Sequence, residues 1–240
     1  MTLKQCIFYD SNCYYYGKNN LTITTKKQGK VKSQMQPIGI LVHSTGCNQP
    51  YLRRFVQPSL SDPKYDEIIA DLGKNKNNNS WNRMSANVCV HAMIGKNQFD
   101  EIETYQLLPY NYSCWGCGSG SKGSYNYTPT PYIQFEIEED GKTDEEYFNK
   151  VFTEAIEYCV YLCKEFGWTE ENITSHCEAA KLGYASNHAD PEHWMKLFGK
   201  NMNWFREEVK KRLEEPKQYK VGDIVNFDGI YHYTNATKGT

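Results

Sequence analysis

The sequence predicts an α/β domain in which a mixed central sheet is flanked by helices. An apolar run at 38–43 is typical of a strand buried on both faces. Two further β-type segments lie close enough in the chain to pair as a hairpin. One long amphipathic helix carries an apolar stripe that must lie on a sheet. A length of 240 residues allows one sizeable domain, or a domain with an appendage.

Four segments have the pattern of strands. The first, IGILVH at 38–43, is apolar almost throughout. NVCVHAMIG at 87–95 and EIETYQLL at 101–108 flank a short polar connection and predict the hairpin. YIQFEIEE at 132–139 alternates and begins directly after Pro131.

Three segments predict helices. A short one covers 62–73, and another covers 201–215 and ends before Pro216. The best-marked helix covers 143–167, where Thr143 and Glu146 form a capping-box pattern. Its apolar residues recur every three or four positions from Phe148, and Gly167 is expected to end the helix.

Composition excludes several classes of partner. The formal net charge is −2, so there is no basic excess to neutralise nucleic-acid phosphates. No apolar stretch of about 18 residues is present, so the sequence predicts no membrane span. The first twenty residues lack the apolar core of a signal peptide. We therefore expect synthesis in a cytoplasm, and action outside a cell only after release by a holin-type or other lysis event.

The nine cysteines are odd in number and scattered, which predicts mostly reduced thiols. Cys114 and Cys117 have the C-x-x-C spacing of a redox pair. A Gly/Ser/Pro-rich loop follows them instead of a helix, which argues against redox chemistry.

Three of the six histidines fall within 173–194, together with Asp190. Clustered His and Asp side chains serve metal binding or proton transfer. His43 ends the first buried strand, and His176 follows a short apolar start. With Asp190 they make a His–His–carboxylate set of the kind that holds catalytic zinc. The residues fit no local motif, and His43 taken alone also suits a hydrogen-bonded structural role.

Five segments resemble the zinc-dependent N-acetylmuramoyl-L-alanine amidases of the peptidoglycan-recognition and phage-lysozyme superfamily, in particular clostridial phage endolysins. They follow the family's order across roughly 35–215 and read GILVHSTG (39–46), WNRMSANVCVHAMIGK (81–96), TYQLLPYNYSCWGCG (104–118), IQFEIEEDG (133–141) and SHCEAAKLGYASNHADPEHW (175–194). The resemblance implies hydrolysis of the amide between N-acetylmuramic acid and L-alanine in bacterial peptidoglycan, with one zinc ion per chain. The tail VGDIVNFDGIYHYTN resembles the start of an SH3-like wall-binding module. The predicted organisation is thus a catalytic domain at 1–215, then a linker and truncated module at 216–240.

The resemblance also assigns roles to residues. His43, His176 and Asp190 match the zinc ligands. His188 stands two residues before Asp190, where relatives often place a Lys that stabilises developing negative charge; the alternative is that His188 replaces Asp190 as the ligand. Glu136, in IQFEI, matches the catalytic glutamate of the family's I-G-I-E strand.

Several neighbouring residues receive weaker assignments. Glu138 is expected to point to the same face of the strand as Glu136, so it is the alternative candidate for the catalytic glutamate. His91 is expected to be structural, His193 a surface or supporting residue, and Glu178 a support for a ligand histidine. Trp81, Trp115 and Asn48 are candidate substrate contacts, although the aromatic residues also suit ordinary packing.

The chain departs from the family pattern at two positions. Gly116 stands in Trp115-Gly116-Cys117-Gly118 where relatives often read Trp-His-Cys-Gly, so a groove histidine is missing. Val90 stands where some relatives have a Tyr, which places more of the proton transfer on Glu136.

The expected chemistry follows from the poor reactivity of an amide. Zinc lowers the pKa of bound water towards about 7 and polarises the carbonyl. Glu136 then acts as general base and later as general acid, and His188 stabilises the oxyanion. Two alternatives stay open: a non-catalytic peptidoglycan-binding module, and a zinc peptidase of the stem peptide, for which no H-E-x-x-H motif is present.

Overall fold

The computed structural model describes Met1, residues 3–8 and residues 35–215. Six strands of this part form one sheet in the order β1-β4-β3-β5-β2-β6. They are β1 Leu3–Gln5, β2 Ile40–Ser44, β3 Ala92–Lys96, β4 Ile102–Gln106, β5 Ile133–Ile137 and β6 Ile173–Ser175. Strands β3 and β4 are antiparallel, and the other neighbours run parallel. The predicted mixed sheet and its hairpin are therefore confirmed.

Five helices accompany the sheet within the same residues. They are α1 Tyr65–Leu72, α2 Glu145–Phe166, α3 His176–Leu182, α4 Glu192–Met195 and α5 Met202–Glu214. The three predicted helices correspond to α1, α2 and α5. The strand predicted from residue 87 begins only at Ala92, because Cys89 pairs with Trp115 outside the sheet. Strands β1 and β6 and helix α3 were not predicted.

The two faces of the sheet differ in chemistry. Alternate residues of β2 and β5 pack against α2 and α5 in one apolar core, namely Ile40, Val42, Ile133, Phe135 and Ile137. This core includes the predicted stripe of α2, which is buried as expected. The intervening residues of both strands point to the opposite face. There His43 lies beside Glu136 in the parallel register.

The ends of α2 follow ordinary capping rules with one correction. Gly167 ends the helix with φ +69°, as predicted. The predicted cap at Thr143 is wrong by one residue, because the side chain of Asp144 accepts the N–H of Tyr147 at 3.0 Å. A carboxylate at this position also interacts favourably with the positive end of the helix dipole.

Lys4 lies between two carboxylates at the β1 edge of the sheet. Its Nζ is 2.8 Å from Asp71 Oδ2 and 2.5 Å from Glu103 Oε1. Burial, reinforced by the Asp71 carboxylate, raises the pKa of Glu103 to about 7. The contacts of Lys4 connect β1 to both α1 and β4.

The described cysteines are all free thiols. Helices long and apolar enough to cross a bilayer are absent from the described residues. The predicted linker and SH3-like fragment at 216–240 lie outside the described residues.

Candidate metal centre

The structure brings His43, His176 and Asp190 together at one end of the parallel strands. His43 belongs to β2, and His176 follows β6 as the first residue of α3. Val42 of β2 is paired with Ser175 of β6, and a histidine directly follows each of these two residues in the chain. Asp190 approaches from the loop before α4. All three side chains are buried.

The start of α3 is fixed by a reciprocal cap. The side chain of Ser175 accepts the N–H of Glu178, and the Glu178 carboxylate accepts the N–H of Ser175. Arg206 of α5 holds the same carboxylate with two contacts of 2.9 Å. Glu178 therefore supports His176 through the helix backbone. Burial would raise the pKa of the Glu178 carboxyl, but Arg206 holds that pKa below its usual value.

The donor atoms of the three residues have metal-site spacing. The two Nδ1 atoms of His43 and His176 are 3.0 Å apart. Each lies 3.3 Å from an oxygen of Asp190. In a tetrahedral site with metal–ligand bonds of about 2.0–2.1 Å, the ligand atoms are about 3.3 Å apart. The three donors therefore fit one metal ion.

The charge state of Asp190 suits this arrangement. Burial alone would raise its pKa, but the neighbouring imidazole rings of His176 and His43 hold that pKa well below the usual range. The carboxylate is therefore available as an anionic ligand.

The outer nitrogens of both histidines are also engaged. His43 Nε2 lies 3.0 Å from Gln134 Oε1, and His176 Nε2 lies 3.4 Å from Ser186 Oγ. Hydrogen bonds of this kind orient ligand rings in metal sites. Sequence reasoning missed both Gln134 and Ser186.

His188 lies at the rim and outside the group of three donors. Its side chain is 60% exposed, and its ring stacks on His176 at 4.5 Å. His188 Nδ1 is 3.5 Å from Asp190 Oδ1. The group of donor atoms therefore includes Asp190 and leaves His188 outside it.

Glu136 and its rival Glu138 differ in access. Glu136 keeps partial exposure, and its Oε2 is buried without a hydrogen-bond partner. Burial, reinforced by Asp190 and Glu139, raises its pKa well above the usual range. Glu138 is fully buried, and a Cβ added at Gly95 would lie only 2.9 Å from its Cγ. Of these two carboxylates, only Glu136 is partly exposed.

His91 is a structural residue. Its Nδ1 accepts the N–H of Gln134 at 3.0 Å, and its Nε2 lies 2.8 Å from the carbonyl of Tyr112. Burial lowers its pKa to about 4, so the ring is neutral. This agrees with the expectation from the sequence.

His193 supports the segment that follows β2 through Glu139. His193 Nε2 lies 3.0 Å from Glu139 Oε1, which raises the pKa of His193. The same oxygen accepts from Ser44 Oγ at 2.7 Å and from the N–H of Gly46. Glu139 was not anticipated from the sequence, where it reads as a solvated strand end.

The predicted substrate contacts lie in different settings. Trp115 is half-buried and stacks at 6.2 Å on the exposed Tyr127. Trp81 packs on Phe55 at 5.0 Å within an apolar cluster, which agrees with the packing alternative. Asn48 is exposed in the segment after β2.

The chain matches a known family of enzymes. Residues 33–193 match the family model described as N-acetylmuramoyl-L-alanine amidase. No curated protein sequence matches the chain significantly.

Solved structures resemble the fold. The Staphylococcus aureus hydrolase AmiA, solved in complex with its ligand, has 16% sequence identity and a TM-score of 0.53, covering 89% of this chain and 83% of that chain. PlyL has 19% identity and a TM-score of 0.52, covering 88% and 98%. The PlyG catalytic domain has 19% identity and a TM-score of 0.51, covering 92% and 100%. At these identities the likeness concerns the fold.

Proposed function

Because the chain belongs to the N-acetylmuramoyl-L-alanine amidase family, we propose that it is a zinc-dependent hydrolase of bacterial peptidoglycan. The bond cleaved is the amide between N-acetylmuramic acid and L-alanine. One observation carries the proposal: donor atoms of His43, His176 and Asp190 lie within 4.8 Å of one another at a buried strand end. All three residues fall inside the segment that matches the family.

The donor set favours zinc over harder cations. Two imidazole nitrogens and one carboxylate oxygen form a typical catalytic zinc set, whereas Mg²⁺ and Ca²⁺ prefer oxygen ligands. A zinc ion bound there lowers the pKa of a water molecule and polarises the substrate carbonyl.

Glu136 carries the proton transfer in this proposal. It takes a proton from the attacking water and later delivers one to the departing amine nitrogen. Two observations support the role: Glu136 is the register partner of His43, and its Oε2 is not occupied by another hydrogen bond. Its raised pKa is typical of carboxyl groups that exchange protons during catalysis.

His188 stabilises negative charge on the substrate oxygen. Stacking on His176 and the contact with Asp190 hold its ring at the rim while leaving the side chain largely exposed. A preorganised donor at this position acts where charge develops in the transition state.

We propose that exposed aromatic and polar side chains make the contacts with peptidoglycan. The stacked pair of Trp115 and Tyr127 offers an aromatic surface to a sugar or peptide, and we retain Trp81 and Asn48 as further contacts. A structure titled as a mutant endolysin from Bacillus subtilis has 19% identity and a TM-score of 0.50, and it covers 87% of this chain. We accordingly propose an endolysin-type role, in which the enzyme reaches the cell wall after release from the cytoplasm.

Analysis of reaction products tests the proposal. Purified protein is stripped of metal, reloaded with zinc and incubated with peptidoglycan, and new amino termini are identified. We expect new N-terminal L-alanine from the reloaded protein and none from the stripped protein. Other peptide termini would indicate a zinc peptidase, and binding without release would indicate a non-catalytic binding module.

A further inference from the structure

We propose that Gln134 is a positioning residue that fixes the ring of His43 for metal binding, and that its presence requires glycine at position 116. This inference rests on the proposed function, because it takes His43 as a zinc ligand. It also gives a steric reason for glycine at position 116.

The backbone sets the orientation of the Asn126 side-chain amide. Its Oδ1 accepts the N–H groups of Gly116 and Cys117 at 2.9 and 3.2 Å. Its Nδ2 donates to the carbonyl of Gly118 at 2.7 Å. Backbone N–H groups only donate and carbonyls only accept, so the amide of Asn126 cannot be reversed.

The orientation of Gln134 follows from that of Asn126. Gln134 Nε2 donates to Asn126 Oδ1 at 3.0 Å, which leaves Oε1 facing His43 Nε2, also at 3.0 Å. Since Oε1 only accepts, His43 must carry its proton on Nε2. The lone pair of the ring then lies on Nδ1, the atom directed at His176 and Asp190.

Burial makes this hydrogen bond effective. Gln134 is fully buried and His43 is 1% exposed, so water cannot replace the amide as a partner. In such surroundings an unpaired polar group is costly. If His43 carried its proton on Nδ1 instead, its Nε2 and Gln134 Oε1 would both be acceptors and could not form a hydrogen bond. The relay from the 116–118 backbone through Asn126 and Gln134 therefore favours the metal-binding tautomer.

The relay exists only because residue 116 has no side chain. A Cβ at Gly116 would lie 2.5 Å from Gln134 Oε1 and 2.9 Å from Val90 Cγ1. Gln134 and Gly116 therefore depend on each other, because a side chain at 116 would occupy the space of the Gln134 amide.

The experiment compares Gln134→Leu and Gly116→Ala with the control Gln106→Leu. Gln106 is another buried strand glutamine, and its amide donates to the carbonyl of Leu108. Two quantities are measured on folded protein: the zinc dissociation constant, by chelator competition, and the ¹⁵N shifts of the His43 ring in the metal-free state. Gly116→Ala displaces the Gln134 amide without deleting it, so it keeps the test intact if Gln134→Leu does not fold.

We expect both test variants to raise the zinc dissociation constant about 10- to 100-fold and to shift His43 away from a single Nε2–H tautomer. Gln106→Leu should change neither quantity. The double variant Gly116→His/Gln134→Gly should bind zinc better than Gly116→His alone, because the steric conflict is removed.

Normal zinc affinity together with an unchanged tautomer in Gln134→Leu or Gly116→Ala would overturn the proposal. An equal loss of affinity in Gln106→Leu would overturn it as well, by showing a general effect on the fold. If the wild-type chain fails to bind zinc, the proposed function fails, while the ring shifts still decide whether Gln134 sets the tautomer.

Discussion

Replacing Asp190 with alanine should greatly weaken zinc binding, because Asp190 supplies one of the three donors that the described residues bring together. Its two oxygens each lie 3.3 Å from a histidine Nδ1. Structural zinc sites with four protein ligands bind with about 10–16 kcal/mol, or roughly 3–4 kcal/mol per ligand. Because water partly replaces the missing ligand, we expect Asp190→Ala to lose about 3 kcal/mol of zinc-binding free energy. This loss corresponds to a roughly 100-fold higher dissociation constant.

His188→Ala is the matched control, since it removes a neighbouring imidazole that touches the same carboxylate. Its side chain is 60% exposed, and the contact with Asp190 is 3.5 Å. An exposed pair of this kind contributes at most about 1 kcal/mol, so the zinc dissociation constant should change by less than about fivefold. The rate of amide cleavage should nevertheless fall by about 10²-fold, because the oxyanion loses a donor.

Metal content and activity are measured side by side for the two variants. Zinc is quantified by elemental analysis after dialysis, its affinity by chelator competition, and cleavage by new N-terminal L-alanine. A His188→Ala protein without zinc, beside an Asp190→Ala protein that binds zinc normally, would reverse the two assignments.

Three further substitutions test separate parts of the molecule. Glu136→Gln should retain zinc but lose about 10²- to 10⁴-fold in rate; normal turnover in the product assay would rule out its role in proton transfer. Glu103→Gln should flatten the pH dependence of stability in urea unfolding. Because the pKa of Glu103 rises from 4.5 to about 7 on folding, the wild type should lose about 3 kcal/mol relative to the variant as pH rises through that window; parallel curves would contradict this. Asp144→Ala should cost about 1 kcal/mol in thermal unfolding and Thr143→Ala almost nothing; equal losses would contradict the observed cap.

The elements that the sequence predicted correctly are those with a local signal. The strand at Ile40–Ser44 is buried along its whole length, and the apolar stripe of Glu145–Phe166 repeats over six turns. Both patterns record which side chains avoid water, and this can be read without knowing the partner element. Strands of three residues, such as Leu3–Gln5 and Ile173–Ser175, are too short to show any period.

The site was predicted only in part, for a related reason. Residue types and strand-end positions suggested His43, His176 and Asp190 as a metal-binding set, although their spacing fits no local motif. Resemblance to a family then assigned them as ligands. Gln134 was overlooked because a polar residue in an alternating strand reads as solvent-facing, although it is fully buried.

The sequence alone determined the fold class, the family and the types of residue from which a metal site can be built. Tertiary structure decided which atoms meet. His43 contacts side chains that lie 91, 133 and 147 residues away in the chain. Those meetings depend on the register of β2 with β5 and β6, on Gly116 leaving room for an amide, and on the loop that carries Asp190. Periodicity reports the burial of each segment, whereas distances of 3 Å between distant residues are set by how the segments pack.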